Sequence, residues 1–197
     1  MPALLEQIEA LFVAHGEQPR DGSPDAPVSA LSHALQTAQL AEWADADTPL
    51  VAAALLHDLG HFLLPAADAG TSRLPHEQRA LTVLAAGFGP EVLEPIRLHV
   101  QAKRYLVATD PGYAHSLSPS SRRALQAQGG PMSRAEQSRF EQTPHALGAV
   151  KLRQWDDRAK EVGKRTPPLA YYLGVLDDVL QAPMSQHKIE IGARSAA

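Results

Sequence analysis

Apolar residues recur at helical spacing along almost the whole chain, and this pattern constrains the fold more than any other feature of the sequence. Residues 3–14 place apolar side chains three or four positions apart, as at Leu4, Ile8 and Leu11, which is typical of an amphipathic helix. No run alternates apolar and polar residues over enough positions to indicate a strand. Helices joined by loops, without strands, predict an all-α helical bundle.

Prolines and capping residues predict where the helices begin and end. We expect helices over residues 3–14, about 29–44, 48 to about 64, 76–86, within 91–106, and 169–180. Three pairs resemble an N-cap followed by a proline in the first turn: Thr48-Pro49, Ser118-Pro119 and Thr143-Pro144. The last pair is expected to open a helix that runs to Val162. Ser133 and Glu136 have the spacing of a capping box, and Pro95 is expected to kink its helix or delay its start.

Length and charge limit the classes of protein to which the chain can belong. Its 197 residues fit a single domain, with a frayed tail expected after residue 183. With 18 Lys+Arg against 22 Asp+Glu, the net charge of −4 argues against nucleic acid as a partner. The longest apolar run, residues 50–56, is far shorter than the roughly 20 residues of a membrane span. We therefore expect a cytoplasmic protein without a membrane partner.

The chain contains no cysteine. Disulfides, thiolate nucleophiles, Cys-ligated zinc and iron–sulfur clusters are excluded as a result. Any metal must be bound by histidine nitrogen and carboxylate oxygen, a donor set that suits iron, manganese, zinc or magnesium.

Residues 55–61, Leu-Leu-His-Asp-Leu-Gly-His, concentrate polar side chains in an apolar setting. A continuous helix would place His57 and His61, four residues apart, on one face, with the Asp58 carboxylate beside them. Burying such groups is costly unless they have partners, and a metal ion is a partner for imidazole and carboxylate alike. The alternative is a polar helix end, with Asp58 as a cap and His61 in solvent.

Four more residues are candidate ligands, and each has a simpler interpretation. His33 and His99 lie within predicted helices among apolar residues, where a core histidine bonded to a carbonyl is the commoner case. His76 opens a predicted helix, where its side chain can be solvated. Asp156 follows Trp155 on a charged segment and can be a surface acid. The remaining histidines lie in predicted loops or the tail and are expected at the surface: His15, His115, His145 and His187.

In this order along the chain, His33, the His57-Asp58 doublet and Asp156 resemble the HD superfamily of helical metalloproteins. The chain is similar to myo-inositol oxygenase and, more closely, to the mixed-valent diiron HD oxygenases that cleave 1-hydroxyphosphonates. The matching stretches are residues 53–61, 99–106 with Lys-Arg-Tyr-Leu, 128–132 with Gln-Gly-Gly-Pro-Met, and 153–156. The resemblance implies an HD-domain helical bundle, with its metal-binding core within about residues 29–160.

The resemblance also implies two irons, one Fe(II) and one Fe(III), with O₂ as co-substrate. The ligands it implies for the first iron are His33, His57, Asp58 and Asp156, and those for the second are His76, His99 and a bridging Asp58. Asp157 replaces Asp156 if the register is shifted by one. Mononuclear zinc is the less favoured alternative, because it would leave two histidines without a role.

The family chemistry is oxidative cleavage of the C–P bond of a small organophosphonate. By resemblance, His61 acts in catalysis and donates to the phosphonate, which is also bound by Lys103, Ser121 and Arg153; Arg104 can replace Arg153. Relatives that take 2-amino-1-hydroxyethylphosphonate carry Tyr-x-x-Glu before the first ligand, and residues 23–26 here are Ser-Pro-Asp-Ala. This difference favours a trimethylammonio substrate cleaved to glycine betaine and phosphate, and leaves hydroxymethylphosphonate and the primary amine open.

Several residues could face a cationic substrate group: Asp21, Asp25, Tyr105, Tyr113 and Trp155. The resemblance further implies an R configuration at C1 and an upstream phosphonate hydroxylase that supplies the substrate. Two other functions stay open, namely an HD phosphohydrolase with redox-inert metals and a helical binding module without activity.

Overall fold

A computed structural model describes residues 2–19, 28–63 and 74–182. Its helices are α1 Pro2–His15, α2 Ala30–Trp43, α3 Thr48–Leu56, α4 His76–Leu84, α5 Pro90–Thr109, α6 Pro111–Ser116, α7 Pro119–Ala127, α8 Arg134–Glu141, α9 Ala146–Arg158 and α10 Leu169–Gln181. A short 3₁₀ turn, Leu59–His61, follows α3. The described residues form no strand, only an isolated bridge between Pro19 and Ser29, so the all-α prediction is confirmed.

Helix α3 lies at the centre of the bundle. Its run from Leu50 to Leu56 is entirely buried, because α2, α5, α9 and α10 all pack around it. A helix that is apolar on every side is stable only in such a position. The end of α3, where the polar residues follow, is therefore placed inside the bundle.

A smaller apolar cluster joins α5, α8 and α9. It contains Leu98 and Ala102 of α5, Phe140 of α8, and Ala146 and Ala149 of α9, together with Met132. Since α5 also packs on α3 and α4, this 20-residue helix connects the central core to the α8 side of the molecule.

Caps explain several helix starts. Ser118 accepts from the Ser121 N–H at the start of α7, and the capping box of Ser133 and Glu136 is present at α8. At α3, however, the cap is Asp47, whose Oδ1 accepts from the Leu50 N–H, so Thr48 is already helical. Helix α5 begins at Pro90 and continues through Pro95, so its start is not delayed.

Two predicted helix bounds are wrong. Helix α3 ends at Leu56 rather than near residue 64, because the chain tightens into the 3₁₀ turn. Helix α9 runs from Ala146 to Arg158 rather than from Thr143 to Val162. Thr143 does not cap α9, since its hydroxyl donates to the carbonyl of Arg139 in the preceding helix at 2.9 Å, and His145 takes a positive φ of 63°.

Within the described ranges, no helix combines the length and apolar character needed to cross a bilayer. The predicted tail after residue 183 lies outside the described residues, as do Asp21, Asp25 and the rest of residues 20–27.

Candidate metal centre

Six side chains from five parts of the chain meet at the end of α3. His33 comes from the middle of α2, His99 from α5 and Asp156 from α9. His57 and Asp58 lie at the turn after α3, and His76 is the first residue of α4. His33, His57, His99 and Asp156 are almost fully buried. The structure thus brings together the six residues that the sequence singled out as candidate ligands.

We call His33, His57, Asp58 and Asp156 the first donor group. Nε2 of His33 and Nε2 of His57 are 3.3 Å apart. Oδ2 of Asp58 lies 3.4 Å from the His57 nitrogen and 3.7 Å from the His33 nitrogen. Oδ1 of Asp156 lies 3.3 Å from the His33 nitrogen and 3.8 Å from the His57 nitrogen.

We call Asp58, His76 and His99 the second donor group. Nε2 of His76 lies 3.1 Å from Nε2 of His99 and 3.5 Å from Oδ1 of Asp58. Oδ2 of Asp58 therefore faces the histidines of the first donor group and Oδ1 faces His76 of the second, which is the arrangement expected of a carboxylate shared by two cations.

Hydrogen bonds at the opposite ring nitrogens fix which way the imidazoles present their lone pairs. Nδ1 of His33 is 2.8 Å from the Ala159 carbonyl, Nδ1 of His57 is 2.9 Å from Ala54, and Nδ1 of His99 is 2.7 Å from Ile96. A carbonyl only accepts, so each Nδ1 carries the proton and a neutral ring has its lone pair on Nε2. These lone pairs point at one another and at the carboxylates.

A group of converging lone pairs and anionic oxygens fits metal cations. Two ligands at right angles, each about 2.1 Å from a metal, are about 3 Å apart, close to the separations found within both donor groups. The described residues contain two such clusters of His and Asp atoms, one in each donor group. Nitrogen and oxygen donors without sulfur suit iron, manganese or zinc.

Burial keeps the imidazoles of His76 and His99 in the neutral form that binds metal. Desolvation, reinforced by the nearby His57, lowers the pKa of His99 to about 3. Desolvation also lowers the pKa of His76 well below its usual value, and His61 acts in the same direction. Both rings are consequently neutral at physiological pH, and no proton has to leave before a metal binds.

His61 lies beside the second donor group. Its ring stacks on His76 with centroids 4.2 Å apart, and its Nε2 is 3.8 Å from Oδ1 of Asp58. The expectation that His57 and His61 share one face of an α-helix is wrong, because the 3₁₀ turn Leu59–His61 separates them. His61 is also partly exposed, so it can meet a molecule that enters from solvent.

Arg153 pairs with the oxygen of Asp156 that does not face His33. Its Nη1 lies 2.7 Å from Oδ2 of Asp156, and its Nε donates to Asp157 at 2.8 Å and to the Tyr113 hydroxyl at 3.2 Å. Tyr113 in turn donates to Asp157. Both carboxylates thus pair with Arg153, but only that of Asp156 also lies against the histidines of the first donor group. Sequence reasoning did not foresee this network.

The remaining residues predicted to bind phosphonate differ in their burial and in the groups that they contact. Lys103 is buried one turn beyond His99 on α5, whereas Arg104 donates to the Gly130 carbonyl and to Glu136. Ser121 lies in the first turn of α7, where its hydroxyl and N–H both meet Ser118. Of these three residues, Lys103 is the buried cation that shares a helix with a candidate ligand.

Glu77 is a neighbour of the site that sequence reasoning missed. It follows His76 and is 8% exposed, with Oε2 3.3 Å from Nδ1 of His76. Burial raises the pKa of Glu77, and the nearby Lys103 acts in the opposite direction. The available signal was an acidic residue directly after a candidate ligand, which is otherwise typical of the first turn of a helix.

Comparison with known proteins agrees with this fold. The model of the HD domain family matches residues 30–178, and the chain belongs to that family. It is 42% identical over 183 residues to the hydroxymethylphosphonate dioxygenase of Gimesia maris, covering 89% of each chain. It is 32% identical over 191 residues to the [1-hydroxy-2-(trimethylamino)ethyl]phosphonate dioxygenase (glycine-betaine-forming) of Leisingera caerulea, covering 95% of this chain and 91% of that one.

Proposed function

We propose that the chain is an iron-dependent dioxygenase that cleaves the C–P bond of a 1-hydroxyphosphonate. The observation that carries this proposal is the position of Asp58, whose Oδ2 faces His33 and His57 while its Oδ1 faces His76 of the second donor group. A hydrolase with one metal has no use for His76 and His99. Relatives that are phosphonate dioxygenases, at 42% and 32% identity over nearly the whole chain, support the same reaction.

In this proposal the first donor group holds one iron and the second donor group holds the other. A bound pair of irons supplies the electron transfer with O₂ that zinc or magnesium cannot provide. Seven donor contacts, with Asp58 counted once for each metal, leave positions open on both ions for substrate and O₂.

Hydroxymethylphosphonate is the substrate we propose first. Its reaction balances as hydroxymethylphosphonic acid plus O₂ giving formic acid plus phosphoric acid, with the carbon oxidised and the C–P bond replaced by P–O and C–O bonds. The sequence alone favoured a trimethylammonio substrate, which would need aromatic faces around its cation. Tyr105 instead contacts Glu141 and Phe140, Tyr113 is bonded to Asp157, and Trp155 is packed in the core.

The trimethylammonio compound, cleaved to glycine betaine and phosphate, is the second candidate. It is favoured by the 32% identity to an enzyme named for that reaction. The primary amine, 2-amino-1-hydroxyethylphosphonate, is third, since the sequence lacks the Tyr-x-x-Glu of enzymes that take it. Each of these substrates needs a preceding reaction that places the hydroxyl group on C1, so a phosphonate hydroxylase upstream belongs to the proposal.

Two side chains serve the substrate in this proposal. Lys103 offsets the charge of the phosphonate dianion, because a buried ammonium is a strong partner for a buried anion. His61 accepts the proton of the C1 hydroxyl at Nε2, near Oδ1 of Asp58. Ser121 and Arg153 are weaker candidates: Ser121 lies against Ser118 in the first turn of α7, and Arg153 is held by the carboxylates of Asp156 and Asp157.

A phosphate-release assay with the three hydroxyphosphonates, in air and under argon, tests the function. We expect O₂-dependent release of phosphate, fastest from hydroxymethylphosphonate, by protein that contains close to two irons per chain. Phosphate release from a phosphomonoester without O₂, by protein containing only zinc, would establish the phosphohydrolase instead. Absence of bound metal together with absence of turnover would favour a binding module.

A further inference from the structure

One ligand imidazole, that of His76, has a different kind of hydrogen-bond partner from the others. His57 and His99 bond through Nδ1 to the carbonyl three residues earlier, at Ala54 and Ile96. His76 cannot do so within its own helix, because it is the first residue of α4. Its Nδ1 faces the carboxylate of Glu77 instead, at 3.3 Å from Oε2. Among the described ligand histidines it is the one for which an anion takes the place of a carbonyl.

Glu77 is buried beside the His76 ring, with Lys103 and Arg79 as the nearby cations. Its side chain is buried, and within the described residues Oε2 accepts no hydrogen bond of regular geometry. A buried acceptor of this kind is costly, and a small rotation of the His76 ring would direct the Nδ1 proton at it. The stacked ring of His61, 4.2 Å away, restricts that rotation to the plane of the imidazole.

We propose that Glu77 is a positioning residue for the second metal: its carboxylate fixes the His76 ring with the proton on Nδ1 and strengthens the bond from Nε2 to the metal. This inference rests on the two-metal site of the proposed function. An anionic partner raises the basicity of a ligand imidazole more than a neutral carbonyl does, and loss of such partners typically weakens metal binding about 10–100-fold. The first donor group, whose imidazoles bond to carbonyls, does not depend on Glu77.

The test compares wild type, Glu77→Gln and Glu42→Gln in anaerobic calorimetric titrations of metal-free protein with Fe(II). Gln keeps the shape of Glu and removes its charge. Glu42 is a matched control, because it accepts from the hydroxyls of Tyr171 and Tyr172 at 2.8 and 2.9 Å, away from the donor groups. We expect E77Q to bind the first Fe(II) normally and the second about 10–100-fold more weakly. We expect E42Q to match wild type at both steps.

Two results would overturn the proposal. One is a second binding step in E77Q that equals wild type; the other is equal weakening of both steps, which would mean that Glu77 supports the fold rather than His76. Circular dichroism melting of each variant verifies folding, and the electron paramagnetic resonance of half-oxidised protein reports on the ligand field at the pair. If wild type binds two Fe(II) but releases no phosphate from any hydroxyphosphonate, the proposed function fails while the role of Glu77 is still decided by the titration.

Discussion

Gly60 packs so closely on the backbone of His76 that a β-carbon built on Gly60 would lie 1.9 Å from the His76 carbonyl oxygen. The same β-carbon would lie 2.9 Å from the nitrogen of Ala80, so the start of α4 rests directly on the 3₁₀ turn. Arg79 fastens the contact by donating to the Gly60 carbonyl at 2.9 Å. This contact brings His76 within reach of Asp58 and so joins the two donor groups.

Replacing Gly60 with Ala is expected to displace α4 and the second donor group. The backbone must move, since the obstacle is a main-chain carbonyl rather than a flexible side chain, and such overpacking typically costs about 1–3 kcal/mol. Urea unfolding and metal analysis should show a less stable protein that retains about one metal. Gly174→Ala is the control, because nothing lies within 4 Å of its β-carbon in α10; it should be neutral or stabilising. A G60A protein with wild-type stability and two metals would contradict the packing argument.

Replacing His76 with Ala should remove metal binding by the second donor group and leave binding by the first intact. The first donor group is unchanged, so we expect the metal content to fall from about two to about one while O₂-dependent phosphate release is lost. His115→Ala is the matched control, because His115 is exposed on α6 and bonds to Pro111. Undiminished turnover by H76A would remove the second iron from the proposed mechanism.

Lys103→Met should lower kcat/KM without reducing the metal content. A hydrogen bond to a charged group contributes about 1.5–3 kcal/mol, which corresponds to a fall in kcat/KM of about 10–100-fold for hydroxymethylphosphonate. Steady-state kinetics on protein of verified metal content measures this, with the exposed Lys151→Met on α9 as the control. Equal kcat/KM values in K103M and wild type would exclude contact between Lys103 and the phosphonate.

The metal-free protein should lose stability as the pH falls below about 6.5. The pKa of His99 is about 3 in the folded state and about 6.5 in the unfolded chain, so between these values only the unfolded state takes up the proton. Its contribution is complete above about 6.5 and is lost progressively down to about 3. In urea unfolding at pH 7.5 and 5, His99→Gln should reduce the loss by on the order of 1–2 kcal/mol. Identical losses in H99Q and wild type would refute this.

Arg153 can be tested as a support for Asp156 against its predicted role as a phosphonate ligand. Arg153→Met leaves the buried Asp156 carboxylate without its closest cation, and breaking a buried ion pair typically costs about 3–5 kcal/mol. Thermal and urea unfolding should show this loss, whereas the exposed Arg158→Met at the end of α9 should change stability by less than about 0.5 kcal/mol. Normal stability with a raised KM would favour direct contact with substrate.

The sequence was sufficient to predict the all-α bundle, because helical periodicity is a local signal. The six residues that converge were selected by the resemblance to HD metalloproteins, since polar groups in apolar segments left a simpler interpretation open for four of them. The sequence did not predict where α3 ends. The Ala/Leu run and the His57–His61 spacing both favour a continuing helix, and the helix stops because α4 and Arg79 pack on Gly60. That contact depends on residues far along the chain.

The start of α9 was missed for a related reason. Ser118-Pro119 and Thr143-Pro144 look alike in sequence, yet Ser118 caps its helix and Thr143 donates to Arg139. Which bond a hydroxyl makes depends on whether a preceding helix ends beside it. The pairing of Arg153 with Asp157 and Tyr113 was equally invisible, since Tyr113 is brought to α9 only by the tertiary fold.

The carbonyls of Ala159, Ala54 and Ile96 orient the imidazoles of His33, His57 and His99 through hydrogen bonds made by the polypeptide itself. The polypeptide consequently fixes the position and type of the donor atoms. It does not by this means distinguish one metal from another. First-row divalent ions compete for such donor atoms according to their intrinsic affinity and their abundance during folding. A molecule loaded with zinc would be well folded but unable to exchange electrons with O₂, and the iron supply of the host would then set how much of the protein is active.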